Sequence, residues 1–337
     1  MKNILLIIST FGYLLSNGIS GVSFFEYHTG DVDKLGETHG FKLSRAYFTY
    51  KNSISDELSF TLQTDVGRLD PQVNDDRWVV YLKKAQLDWK IKNNIKISMG
   101  MIGLNMFNVQ EKTWGHRFIE KSALDLAGWS SSADLGFGVS KKFTDNLSSS
   151  LLITNGEGYK ESNNDNYEKI SLQILYGENR LDKNDGFNAG IVYSTLDHDQ
   201  IVDNTVEEIN TNSIAGGFIG YARGKTRIGI ENYTSDHDNF NQDEDYSGSL
   251  LSGYVNYSLN ENLTVIARTD ILVRNKDNDQ LDTSTDIFGI VWNPTKGLSI
   301  CPNITKKTLW FDWDSDGGTT ETEDSVSDLA LNFQFKF

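Results

Sequence analysis

Asp324-Ser325-Val326-Ser327-Asp328-Leu329-Ala330-Leu331-Asn332-Phe333-Gln334-Phe335-Lys336-Phe337 ends the chain. From Leu329 onward every second residue is apolar: Leu329, Leu331, Phe333, Phe335 and Phe337. Ala330, Asn332, Gln334 and Lys336 stand between them. Side chains on a strand alternate between faces, so this stretch has one greasy face and one mostly polar face. A helix would spread the same phenylalanines around its circumference. Period-2 alternation fits a membrane-spanning strand and the last strand of a soluble sandwich equally well. The rest of the chain separates the two.

Working back from this end, similar segments follow one another with little between them. Strands are expected at about residues 22–27, 40–51, 57–65, 79–92, 95–103, 134–143, 147–155, 167–176, 187–196, 211–224, 226–236, 247–259, 263–273, 284–293, 298–311 and 324–337. That makes sixteen, an even number, as single-chain bacterial barrels have. The connections alternate in length. Ser53-Ile54-Ser55-Asp56, Lys92-Asn93-Asn94, Thr144-Asp145-Asn146, Gly224-Lys225, Asn260-Glu261-Asn262 and Asn293-Pro294-Thr295-Lys296-Gly297 are hairpin-length turns. Residues 28–39, 66–78, 104–133, 197–210, 237–246, 274–283 and 312–323 form long connections. Gly177 to Gly186 breaks the rule: it should be a short turn, yet it runs to about ten residues. A sandwich has no reason to alternate loop length, whereas a membrane barrel puts short turns on its periplasmic side and long loops outside. The expected fold is a sixteen-stranded antiparallel transmembrane β-barrel.

Composition agrees. The chain has 337 residues, a net charge of -16 and one cysteine, Cys301, which excludes an intrachain disulfide. Mean hydropathy is -0.42 and no long apolar run follows the N-terminus, so helical membrane spans are excluded. A barrel is compatible, because only alternate residues face lipid. Acidity argues against nucleic acid as a partner. At the start, Met1-Lys2-Asn3 precedes an apolar run from Ile4 to Leu15, with small residues near Ser16 to Ser20. The run is well short of the roughly 20 residues a spanning helix needs, so residues 1–20 read as a cleaved signal peptide and 21–337 as the exported barrel.

Lipid-facing stripes follow from strand parity. Leu58, Phe60 and Leu62 form one; Val79, Tyr81, Ala85, Leu87, Trp89 and Ile91 another; Ile95, Ile97, Met99 and Met101 a third; Leu251, Val255, Tyr257 and Leu259 a fourth. Aromatic residues gather near strand ends: Tyr50, Trp89, Phe143, Tyr176, Tyr257, Trp292 and Phe337 on the short-turn side, and Tyr27, Trp78, Tyr233 and Trp310 on the long-loop side. Girdles of this kind sit at headgroup level. The same parity sends Arg45, Lys84, Lys90, Lys96, Lys142, Arg227, Arg268 and Arg274 into the lumen, with Asp65, Asp88, Glu231 and Asp270. Bases outnumber acids there, which points to a mild anion preference.

Arg45-Ala46-Tyr47-Phe48, with Leu58 to Asp65, Val80 to Trp89 and Ile97 to Met101, resembles the bacterial outer-membrane porin family that includes the phosphate- and polyphosphate-selective porins. Arg117-Phe118-Ile119-Glu120-Lys121-Ser122 before Asp134-Leu135-Gly136 is the most specific piece. The closing Phe337 is similar to the terminal phenylalanine that is part of the assembly signal in such barrels. The likeness covers about residues 40–160 well and the remainder by pattern. It implies a homotrimer in outer-membrane lipid and lipopolysaccharide, passing small hydrophilic solutes or inorganic ions, with the third long loop folded into the lumen. A ladder of closely spaced arginines, as used by the anion-selective members, is missing here.

That third loop, residues 104–133, is the longest connection and carries Glu111, Lys112, His116, Arg117, Glu120, Lys121 and Asp125, with Trp114 and Trp129. Structureless segments of this length are usually functional. The expectation is a pore constriction, with Glu111, Lys112, His116, Arg117, Glu120 and Lys121 as its charge filter. Acidic runs lie in later loops: Asp236, Asp238, Asp243, Glu244 and Asp245, then Asp312, Asp314, Asp316, Glu321, Glu323 and Asp324. None has the spacing of a calcium-binding EF-hand, so no metal site is assigned. His28, His39, His116, His198 and His237 all fall in expected loops, and neither G-x-S-x-G nor H-E-x-x-H occurs. No catalytic residue and no cofactor are assigned. Besides a diffusion porin, two readings stay open: a non-conducting barrel that binds a surface partner through its acidic loops, and an outer-membrane hydrolase.

Overall fold

The computed structural model describes residues 18–29, 39–68, 77–161, 166–202, 205–238, 245–276, 282–312 and 321–337, without the side chains of 199–202, 205–208, 310–312 and 321–324. The expected signal segment up to residue 17 lies outside these, as do Asp243, Glu244, Asp314 and Asp316. The side chains of Trp310, Asp312, Glu321, Glu323 and Asp324 also lie outside.

Sixteen antiparallel strands close into one barrel. They are β1 (Ile19–His28), β2 (Gly40–Ser53), β3 (Leu58–Arg68), β4 (Trp78–Ile91), β5 (Ile95–Gly103), β6 (Ala133–Lys142), β7 (Leu147–Thr154) and β8 (Lys169–Gly177). The second half holds β9 (Gly186–Val202), β10 (Thr205–Arg223), β11 (Thr226–His237), β12 (Tyr246–Ser258), β13 (Leu263–Val273), β14 (Thr283–Thr295), β15 (Leu298–Asp312) and β16 (Glu321–Lys336). Each strand pairs with its neighbour in sequence, and β16 pairs with β1 to shut the ring. The chain end completes that seam. Phe337 donates to the Gly21 carbonyl and accepts from the Gly21 N–H, both at 3.1 Å. Closure leaves no unpaired edge, which a spanning sheet requires.

The outward face of the wall is an apolar band, with Ile230, Ile191, Phe48, Leu329 and Phe335 among its exposed side chains. Trp89, Phe143, Tyr176, Tyr257, Trp292 and Phe337 stand exposed on the short-turn side. Tyr233 does not join a girdle. It points inward and is buried, because the third loop packs on it.

Three further departures have local causes. β4 carries a bulge: Gln63 pairs with Lys84 and Thr64 with Leu82, so Lys83 has no partner. An extra residue reverses the parity of everything on its far side. Tyr81 therefore points into the lumen, where its hydroxyl donates to Asp65 at 3.2 Å, and Val79 shares its parity. Val80 and Leu82, at 70% and 42% exposed, face outward in their place. Second, the long connection expected at 197–210 is mostly ladder. β9 and β10 pair from Gly186–Ala222 up to Val202–Thr205, leaving residues 203–204 between them. Polar, β-branched residues at the tops of long strands lack the lipid-facing stripe, which hides them from a hydropathy reading. His198 lies within β9, while His28 and His237 end β1 and β11, so these three are strand residues rather than loop residues. Third, Arg274 lies beyond the end of β13, exposed, with its N–H bonded to Asp282 at 2.8 Å. It is not a lumen-lining strand position, because the strand ends one residue earlier.

Candidate functional site

The third loop leaves β5 at Leu104, and its backbone is first tied to its own return limb, Leu104 N–H to Ser132 carbonyl, 3.2 Å. It forms two short helices, α1 (Gln110–Trp114) and α2 (Ala123–Leu126). Gly115 ends α1 at φ 75°, and a Cβ there would stand 2.6 Å from the Arg227 guanidinium. Glycine serves both the left-handed turn and the close approach.

One face of the loop is apolar. Met106, Phe107, Val109, Ala123, Leu124 and Ala127 bury themselves against inward-facing Leu175, Val192, Ile214, Phe218, Leu250 and Leu272. Trp114 and Phe118 pack with Phe24, Ile266, Val291 and Cys301. Inward positions of a hydrated lumen are normally polar, so these apolar ones mark the footprint of the loop. Cys301 is accordingly a small packing residue.

Polar side chains of the wall hold the loop backbone from several sides. Gln173 donates to the Asn105 carbonyl at 2.5 Å, and Arg227 to the Trp114 carbonyl at 3.1 Å. Asn332 donates to Phe118 at 3.1 Å and Arg268 to Lys121 at 2.6 Å. Gln110 donates to the Tyr233 hydroxyl, which donates to Glu231, both at 2.9 Å. The loop thus leans on the arc from β7 round to β16. Buried loop carbonyls find partners here that water would otherwise supply.

The arc from β2 to β4 presents a second set of charged and aromatic side chains to the loop. Arg45 donates to Asp65 at 3.0 Å. Lys83, only 4% exposed, donates to the Tyr47 hydroxyl at 3.0 Å. Its ammonium also lies 4.6 Å from the Tyr47 ring and 5.0 Å from the ring of Tyr159, which reaches over from the loop after β7. The bulge turns Lys83 inward beside Lys84, which regular parity already points into the lumen. Neither Lys83 nor Lys84 has a carboxylate at ion-pair distance among the described residues. From the loop, Arg117 is clamped between Glu111 and Asp125, the latter at 2.7 Å. Burial works to lower the Arg117 pKa, but Glu111, Tyr47 and Asp125 hold it raised, so its charge is fixed. Lys112 is pushed down by burial and then by Arg180. His116 falls to about 3, from burial and the nearby Arg227 charge. Arg227 donates toward its Nε2 at 3.3 Å, which suits a neutral ring protonated at Nδ1.

The expected lumen charges divide into groups. Arg45 and Asp65 face the loop as a pair, and Arg268 with Asp270 forms a buried pair at 2.7 Å behind it. Glu231 is buried within the Tyr233 network, and Arg227 holds α1. Asp88, Lys96, Lys90 and Lys142 lie nearer the short turns; Lys96 meets Asp88 at 3.2 Å and Lys142 meets Asp145 at 3.1 Å. Glu120 and Lys121 line a cavity of about 350 Å³ with Arg117, Arg45, Lys42 and Lys307. Sequence reading missed Lys83 and the tyrosines 47, 81 and 159. The consecutive pair Lys83-Lys84 was the available signal: two adjacent lysines on a spanning strand need either a bulge or a charge in lipid.

No protein-family model matches the sequence, and no curated protein matches it. Solved structures do. An anion-selective porin from Comamonas acidovorans shares 10% identity over 95% of this chain and 98% of its own, with a TM-score of 0.67. The trimer form of OmpT, an outer-membrane protein of Vibrio cholerae, shares 14% identity over 95% and 98%, at 0.65. OmpF of Salmonella typhi, solved with daunomycin, shares 12% over 95% and 97%, at 0.61. The barrel shares the fold of these outer-membrane porins. At these identities the likeness is one of fold, and it extends over the whole porin barrel rather than to the phosphate-selective branch in particular.

Proposed function

We propose that this porin-type barrel is an outer-membrane diffusion channel for small hydrophilic solutes and ions, with a weak preference for anions. The observation that carries the reading is the pair of inward lysines at the β4 bulge, beside the third loop. Lys83 and Lys84 both point inward and, among the described residues, meet no carboxylate at ion-pair distance, while the acids of this region, Asp65, Glu111 and Asp125, are taken up by Arg45 and Arg117. Fixed cations in a narrow, partly dehydrated passage favour anions over cations. The reading requires no energy input and assigns no catalytic chemistry or cofactor. A homotrimer in lipid and lipopolysaccharide accords with the trimeric neighbour.

The test is reconstitution of the refolded mature chain in a planar bilayer under a KCl gradient. Stepwise conductance with a reversal potential of anion-selective sign is the expected result. Cation-selective sign would overturn the preference. A folded, inserted protein without conductance steps would overturn the channel itself.

A further inference from the structure

The connection between β8 and β9 is the one that breaks the short-turn rule, and it does not hang from the rim. Residues 178–185 fold back against the lumen. Leu181 is 3% exposed, and a Cβ on Gly220, an inward position of β10, would stand 2.9 Å from its side chain. The turn has its own frame: the N–H groups of Lys183 and Asn184 both donate to the Arg180 carbonyl at 2.9 Å. Arg180 holds Asp182 through two bonds, at 2.8 and 2.7 Å. Asp185 accepts from the Gly224 N–H at 3.1 Å, tying the turn to the next one.

Asn188 links this turn to the third loop. It is fully buried, and its amide donates to the Glu178 carbonyl at 2.9 Å and to Thr113 of α1 at 3.3 Å. The same Gly220 position lies against Thr113 as well as Leu181. Helix α1 therefore rests on the turn. Between them and the wall of β5–β8 is a cavity of about 700 Å³, lined by Lys96, Lys112, Lys142, Gln173 and Glu178.

The turn is charged. Its charges, Asp182 together with Arg180, weigh on Lys112 of α1, and with Lys183 on Lys336 of β16. β16 stands eight strands from β8 in a ring of sixteen, which is the opposite wall.

We propose that residues 178–185 reach over the short-turn mouth toward β16 and form a second constriction there, propping α1 from below. This rests on the channel reading above and adds a second filter in series with the loop. In porin orientation it is the exit to the periplasm.

Asp182→Asn leaves the Arg180 guanidinium of the turn without its carboxylate. Its expected effect is a shift of the KCl reversal potential toward stronger anion selectivity, with conductance changed less than twofold. Replacing residues 179–184 by Asn-Gly should raise single-channel conductance at least twofold, provided the barrel still shows its heat-dependent gel shift. Unchanged selectivity in the first variant together with unchanged conductance in a folded second one overturns the proposal. Placement is tested without conduction by Asp182→Cys with Lys336→Cys in a Cys301→Ser background. A short bismaleimide should bridge them in the folded barrel, and absence of the bridge overturns the crossing. A silent wild-type channel with an intact bridge would sink the channel reading and leave the placement standing.

Discussion

The side-chain amide of Gln110 donates to the Tyr233 hydroxyl at 2.9 Å, while the Gln110 carbonyl accepts from Tyr254 at 3.3 Å. One residue at the start of α1 is thereby fastened to two adjacent strands. Tyr233→Phe removes an acceptor that the buried Gln110 amide and a donor that Glu231 both use. Each unsatisfied buried group costs about 1–3 kcal/mol. The expected outcome is a barrel of normal gel mobility whose open-channel current noise rises, because the loop samples detached positions. Deleting residues 108–128 should raise conductance outright. Current traces of the two variants check both, and an unchanged conductance in the deletion would exclude a constricting loop.

Lys83 is covered by Tyr159, whose ring also stacks on Tyr81 at 6.0 Å. Ring–cation contacts of this kind are worth about 0.5–2 kcal/mol, enough to hold the tyrosine over the lysine most of the time. Tyr159→Ala should uncover the ammonium and move the reversal potential toward anions. Lys83→Gln should cancel that gain in the double variant. Identical selectivity in the single and double variants would show that Lys83 plays no part in it.

How much of this was open to a reader of the sequence depends on parity. The closing strand is legible because Leu329 to Phe337 alternates without interruption. Likewise Leu251, Val255 and Tyr257 face outward where the alternation puts them. The rule fails where one residue is added. Lys83 interrupts the count on β4, and nothing local marks it except a second lysine beside it. It also fails where the interior is not wet. Ile214, Phe218, Leu250 and Leu272 face inward yet are apolar, because a loop more than 80 residues away in sequence covers them. The loop's charges were visible, but its anchors were not: Gln173, Asn332, Asn256 and Tyr254 meet it only in space.

His116 predicts an acid sensitivity of defined sign. Its pKa falls from 6.5 when unfolded to about 3 in the barrel, through burial and Arg227. The folded state therefore favours the neutral ring. Its contribution is complete above about pH 6.5 and is lost as pH drops toward 3, at about 1.4 kcal/mol per unit. Thermal unfolding in detergent should show a melting temperature that declines below pH 6. His116→Gln, which keeps a neutral acceptor, should flatten that decline. An equal decline in both proteins would assign it to the carboxylates instead.

Arg268 and Asp270 are two residues apart on β13 and both buried. The guanidinium makes three contacts to the carboxylate, at 3.0, 3.0 and 2.7 Å, and a fourth bond to the Lys121 carbonyl at 2.6 Å. Its plane also lies 5.1 Å from the Trp114 ring. Removing one partner of such a pair strands the other in a low-dielectric site, at a cost of about 3–5 kcal/mol, whereas replacing both with apolar residues is often neutral. Arg268→Met should therefore lower the unfolding midpoint in urea strongly. Arg268→Met with Asp270→Leu should recover most of it, less the bond to Lys121. Recovery of stability without recovery of wild-type conductance would locate the pair's role in positioning the loop. Full recovery of both would mean that the apolar footprint alone holds the loop in place.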